Sequence, residues 1–253
     1  MSTRLEPAHP AQPAGDGGGQ PHPLDNPVWA ALSGPQKHLA EHAGTAARFR
    51  PDVSPFTAVA DPRDARGWAD LAALVGADAP FALTGVETLP EGWAQGTSGQ
   101  GVQLVGTAVA GRTDPEAELL GPADIPEMLE LVARTRPGPF LARTVEMGAY
   151  YGVRREGRLV AMAGERLRPP GWTEISAVCT DAEHRGQGLA SRLVLHAAAG
   201  ISARGDTPFL HAAASNAGAI RLYESLGFTA RRTTAFHFVE IPAGPTPTAT
   251  PDR

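Results

Sequence analysis

Val178-Cys179-Thr180-Asp181-Ala182-Glu183-His184-Arg185-Gly186-Gln187-Gly188-Leu189-Ala190 is the stretch where the chain changes period. Just upstream, residues 173–180 alternate: Ile175, Ala177 and Cys179 fall on one face, Glu174, Ser176 and Val178 on the other, as in a strand. Downstream, Leu189, Leu193, Val194, Ala197 and Ile201 recur at helical spacing, so a helix starts near Gly188 and ends before Gly205. The order is strand, short glycine-bearing turn, helix. Glycine lets backbone approach a ligand closely, and the N–H groups of a first helical turn lack intrahelical partners and carry partial positive charge. Such a turn is suited to hold phosphate.

Two common phosphate loops do not fit. The Walker loop needs a lysine after its glycine, and Lys37 is the only lysine in the chain. Gly186-Gln187-Gly188-Leu189-Ala190-Ser191 approaches G-x-G-x-x-G, but a dinucleotide fold places an acidic residue at the end of the next strand. Asp206 instead comes before the next strand, residues 208–214. Arg185-x-x-Gly188-x-Ala190 resembles the coenzyme A loop of the GNAT superfamily of N-acetyltransferases. A second segment, Asn216-Ala217-Gly218-Ala219-Ile220-Arg221-Leu222-Tyr223-Glu224-Ser225-Leu226-Gly227-Phe228, is similar to that superfamily's N-x-x-A-x-x-x-Y-x-x-x-G-F segment. Both occur in order, with one helix and one strand between them. The resemblance covers the C-terminal half.

The chain has 253 residues, 42% of them hydrophobic, so a sizeable core can be buried. Its net charge of −5 and lack of a basic stripe argue against nucleic acid or an anionic membrane surface as partner. Cys179 is the single cysteine, which excludes an internal disulfide framework. No apolar run approaches bilayer length and no charged-then-apolar signal opens the chain, so a cytoplasmic protein is expected by elimination.

Composition divides the chain into four parts. Residues 1–23 and 242–253 are rich in proline and small residues and read as disordered tails, with His9 and His22 needing no explanation beyond composition. Residues 24–112 read as a smaller α/β region. It contains an interrupted helix from Val28 to Leu39, strands at 56–59, 81–84 and 102–105, a helix around Trp68 closing at Gly76, and a flexible tip at 96–101. That region is either a degenerate acetyltransferase half packed on the working one or a lid over substrate; the sequence leaves both open. His38 and His42 sit one helical turn apart with no third ligand, so a solvated helix face explains them better than a metal does, and no metal is expected.

After a boundary at 113–116, residues 113–241 give a strand at 117–120, then a helix capped by Asp124 with Pro126 in its first turn. A short helix at 140–147 and a hairpin around Glu156-Gly157 follow. The expected fold class is α/β, a GNAT-like mixed central sheet flanked by helices and preceded by the smaller α/β region.

The resemblance implies the chemistry. Pyrophosphate of acetyl-coenzyme A, the co-substrate, would lie on the backbone of Arg185, Gly186, Gln187, Gly188, Leu189 and Ala190. The strand at 173–180 would part from that at 209–214, and pantetheine would pair with backbone at Val178, Cys179 and Thr180, where an N–H would polarise the thioester carbonyl. Tyr223 matches the family's general acid for the departing thiolate. Asn216 contacts the cofactor, caps its helix, or does both. Glu174 is the base candidate, since carboxylates on this strand serve as bases in some relatives; a solvated strand-start carboxylate is the plain alternative. Cys179 reads as a small core residue, not a nucleophile. The expected activity is direct acetyl transfer, in a ternary complex, to a primary amine of a small molecule or peptide by a monomer or homodimer. The alternative is a catalytically silent acyl-coenzyme A-binding or interaction module.

Overall fold

The computed structural model describes residues 21–76 and 80–240. Most of the two expected tails therefore lies outside the described residues. His22, however, belongs to the fold. Its Nδ1 accepts the Leu24 N–H at 3.1 Å, and its ring packs 5.5 Å from that of Trp172.

The elements of the N-terminal half are helix α1 (Pro27–Leu32), strands β1 (Ala40–Ala43), β2 (Ala46–Phe49) and β3 (Phe56–Val59), helix α2 (Ala65–Val75), and strands β4 (Phe81–Thr84) and β5 (Ala94–Val105). Then come β6 (Glu118–Leu120), α3 (Ile125–Thr135), β7 (Tyr150–Arg155), β8 (Arg158–Glu165), β9 (Trp172–Thr180), α4 (Leu189–Ala203), β10 (Thr207–Ala213), α5 (Ala217–Ser225) and β11 (Thr229–Glu240). All eleven strands form one sheet, in the order β1-β2-β3-β4-β11-β5-β10-β9-β8-β7-β6. Core packing puts α1 and α3 on one face and α2, α4 and α5 on the other. The mixed sheet flanked by helices is the expected fold class.

The sheet crosses the sequence boundary at 113–116. β5, from the first half, lies between β10 and β11 of the second and pairs antiparallel with both. β11 pairs in turn with β4. Buried Gln36 adds a polar pin: its Nε2 donates to the carbonyls of Met147 (3.1 Å) and Arg166 (2.7 Å), and its Oε1 accepts the Arg168 N–H. The 113–116 connection itself is fastened to α4, where Arg192 clasps Asp114 at 2.5 and 2.8 Å.

Several local expectations change. Residues 96–101 are the middle of β5, not a flexible tip; a Cβ on Gly101 would stand 2.2 Å from the Phe236 ring, so glycine there permits close packing across the sheet. His38 lies in a single 3₁₀ turn and His42 in β1, so no helix face joins them. Asp124 does not cap α3 with its side chain; it accepts the Gly121 N–H and an Arg154 N–H instead. Only 144–147 of the expected 140–147 helix is helical, as a 3₁₀ turn.

The strict alternation of β9 also fails. Met162 pairs with Cys179 and Gly164 with Ser176, so Ala163 opposes both Ala177 and Val178. Ala177 takes φ of +53°, a bulge conformation. An inserted residue flips the faces beyond it. Ile175 and Val178 consequently pack toward α4, while Ala177 and Cys179 pack toward α3.

Candidate functional site

Parallel pairing between β9 and β10 is confined to their first residues, Trp172 with Thr207 through Glu174 with Phe209. Beyond these the strands part, and a cleft of about 710 Å³ opens over the turn into α4. Gly186 and Gly188 hold φ of +76° and +74°, where L side chains are strained, and no heavy atom lies within 4 Å of where a Cβ would stand on either. Gly188 is the N-cap of α4 and brings no capping side chain. The first intrahelical bond is the one Arg192 donates to the Gly188 carbonyl, so the earlier N–H groups face the loop. The hydroxyl of Thr180, at the end of β9, is buried, lines the cleft and has no hydrogen-bond partner among the described residues. An open glycine cradle, a helix N-terminus and an orphaned hydroxyl suit a phosphorylated ligand with an extended polar chain.

Val178, Cys179, Thr180, Arg185, Gly186, Gly188, Leu189, Ala190, Asn216 and Tyr223 all line this cleft. Gln187 is exposed and does not. The Asn216 Oδ1 accepts the Ala219 N–H at 3.1 Å, so the residue caps α5 while facing the cleft. Burial pushes the Cys179 thiol up to about 11, which keeps it protonated and unreactive at neutral pH. Tyr223 is only 8% exposed. Burial first, and the neighbouring Cys179 second, push its hydroxyl up to about 12, so it retains its proton throughout the physiological range.

Glu174 requires a correction. It does not line the cleft, and it is neither solvated nor free: its exposure is 0%. Arg166 grips it with two hydrogen bonds, Nε to Oε2 at 2.8 Å and Nη2 to Oε1 at 2.7 Å. His211 Nδ1 adds a third at 2.7 Å to Oε1. Burial opposes the charge, but the Arg166 guanidinium outweighs it, with His211 contributing, and holds the carboxyl down at about 2. A carboxylate so saturated is a poor proton acceptor.

The network continues through Gln103. Its Oε1 accepts from Arg231 at 2.9 Å, so its amide nitrogen faces the Leu24 carbonyl and, at 3.2 Å, His211 Nε2. This arrangement assigns the His211 proton to Nδ1, toward Glu174. Arg166 and His211 were missed by pattern reading. The available signal was a histidine inside the apolar run of β10 and an arginine at the end of the apolar run of β8, each a buried polar group needing partners.

A second cavity, about 320 Å³, adjoins the first. Arg166, His211 and Pro137 line both, so the two meet where β9 and β10 separate. Its other walls come largely from β3, β4, β5 and β11, including Phe56, Leu83 and Phe236. Among the described residues, no aspartate or glutamate lines either cavity. Among the described residues, no cluster of three or more His, Cys, Asp or Glu is placed to hold a metal, and no helix is long and apolar enough to cross a membrane.

Fold and cleft together have the layout of the GNAT acetyltransferase fold. The family model described as FR47-like protein matches residues 150–237, the segment from β7 into β11. A crystal structure from Novosphingobium aromaticivorans, assigned to GNAT-family acetyltransferases, is 43% identical, with 88% of this chain and 100% of that one covered and a TM-score of 0.82. A GCN5-related N-acetyltransferase from Kribbella flavida shares the fold at 18% identity, with 86% and 96% covered and a TM-score of 0.57. No curated protein matches the chain. The chain belongs to the GNAT family.

Proposed function

We propose that the protein transfers an acetyl group from acetyl-coenzyme A to a primary amine by direct attack in a ternary complex. One observation carries the reading: β9 and β10 part beyond Glu174 and Phe209, directly over the open glycine turn at 186–188. Backbone of 185–190 would receive the pyrophosphate, and the unpaired edge of β9 at Val178, Cys179 and Thr180 the pantetheine arm. Acetyl-coenzyme A supplies an activated acyl group. The acceptor nitrogen forms the new C–N bond while the C–S bond breaks. The electron pair leaves with sulfur, and the amine proton passes to solvent.

Tyr223 donates its O–H hydrogen bond to the departing thiolate, a role consistent with a hydroxyl that stays protonated. Glu174 is a positioning residue that orients Arg166 and His211 at the cavity junction. With no carboxylate lining either cavity among the described residues, kcat/KM should rise with pH as the acceptor's own amine loses its proton.

The test is release of free thiol from acetyl-coenzyme A in the presence of an amine panel. Amine-dependent release with acylated product supports the reading. Tight coenzyme A binding with no turnover on any amine would instead identify a silent binding module.

A further inference from the structure

The smaller cavity opens onto the cleft at Arg166 and His211, and its lining restricts what can enter. Its walls are mostly apolar, with Phe56, Leu83, Phe236 and Phe238, and the uncharged Thr97, Ser98 and Gln100 of β5 form the polar side. Phe236 is set in place by the missing side chain of Gly101 and meets the His211 ring edge-on at 5.6 Å. At the inner end stands Arg166, its guanidinium 4.8 Å over the Phe56 ring. Nε and Nη2 are committed to Glu174, whereas Nη1 makes no hydrogen bond among the described residues. The side chain remains 11% exposed, and the residue lines both cavities.

From this lining we propose that the acceptor is a primary amine on an apolar body that carries one oxygen acceptor and no second positive charge. The chemistry is that of an α-amino carbonyl group with an apolar side chain, supplied either by a free amino acid or by a peptide N-terminus. The inference rests on the acyl-transfer reading above. The oxygen meets the free edge of the Arg166 guanidinium, and the apolar body lies against the aromatic walls. A polyamine or aminoglycoside would bring further cations to a mostly apolar cavity where, among the described residues, no carboxylate lines the wall and Glu174 is buried and already paired with Arg166, so each added charge is desolvated without a partner. Volume points the same way: about 320 Å³ is at the small end for ligand sites. The N-terminal half thereby acquires a task, since β3, β4 and β5 build the acceptor chamber.

Calorimetry on the full chain tests this, with coenzyme A saturating and four probes: L-phenylalanine, the dipeptide Phe-Gly, spermidine and kanamycin. Phenylalanine or Phe-Gly should bind at least about tenfold more tightly than either polycation. The tighter of the two identifies the source of the amine. Phe238 is 41% exposed at the rim, so Phe238→Asp should fold and keep its affinity for coenzyme A. It should weaken the phenylalanine-type probe several-fold and strengthen spermidine. Polycations binding as tightly as the apolar probes in the parent, no binding of either apolar probe, or a Phe238→Asp variant that changes neither class would each overturn the proposal. Failure of coenzyme A itself to bind would instead overturn the acyl-transfer reading, and this proposal with it.

Discussion

Glu174 and Tyr223 show how far single residues could be read. Tyr223 was singled out by its match to the family segment, and it does line the cleft. Its substitution is informative: Tyr223→Phe keeps the ring in its packing with Phe228 and removes the donor. Turnover should fall about a hundredfold to a thousandfold with coenzyme affinity nearly unchanged, as steady-state kinetics and calorimetry would show. Glu174 was read as a base candidate or a solvated strand-start carboxylate, because its partners, Arg166 just after β8 and His211 in β10, are reported by no local pattern. Removing its charge strands Arg166, so Glu174→Gln should cost about 3–5 kcal/mol near neutral pH. The sign of the pH dependence follows from a carboxyl held at about 2 when folded against 4.5 ordinarily. Its stabilisation is complete above about pH 4.5 and is lost as pH falls toward 2, where the parent carboxylate also becomes protonated. Thermal midpoints of parent and variant should therefore converge at the acid end; a constant gap would contradict the ion-pair account.

At the scale of elements, turn chemistry was the reliable guide. The hairpin between β7 and β8 turns on Glu156 at φ +52° and Gly157 at φ +79°, the paired left-handed conformation that the dipeptide suggests. Gly157→Val should destabilise the fold by about 1–2 kcal/mol, measurable by denaturant titration, because a branched side chain resists that conformation. Some helix ends read as well, since Gly76 closes α2 and Asn216 opens α5, whereas the expected Asp124 cap on α3 does not form. Two features had no such signature. The bulge in β9 rests on a left-handed alanine, Ala177, a residue that ordinarily avoids that region, and it overturns every face assignment beyond it. The middle of β5 reads as a loop because it is rich in glycine, yet the Phe236 ring needs that glycine as space.

The whole molecule was the least legible, since strand order is a long-range property. Composition divides the chain near residue 113, whereas the sheet places β5 between β10 and β11 and so makes the halves interdependent. A fragment of residues 113–240 would leave edges of both β10 and β11 unpaired and uncover much of the core. It should be insoluble or unfolded by circular dichroism, and co-expression with residues 21–112 should recover folded protein. A fragment that folds alone would show that β5 is dispensable.

The central claim is that the parted strands and the glycine turn bind an acyl-coenzyme A, and the most direct measurement is calorimetric titration of coenzyme A into the parent and into Gly188→Val. The parent should bind one equivalent per chain. In the variant a branched side chain enters the open cradle at a residue held at φ of +74°. Binding should be lost while circular dichroism remains that of the folded parent, and the thermal midpoint should fall only by the few degrees that about 1–2 kcal/mol at a left-handed position costs, as at Gly157. Unchanged affinity in a folded Gly188→Val protein, or two equivalent sites in the parent, would contradict the account.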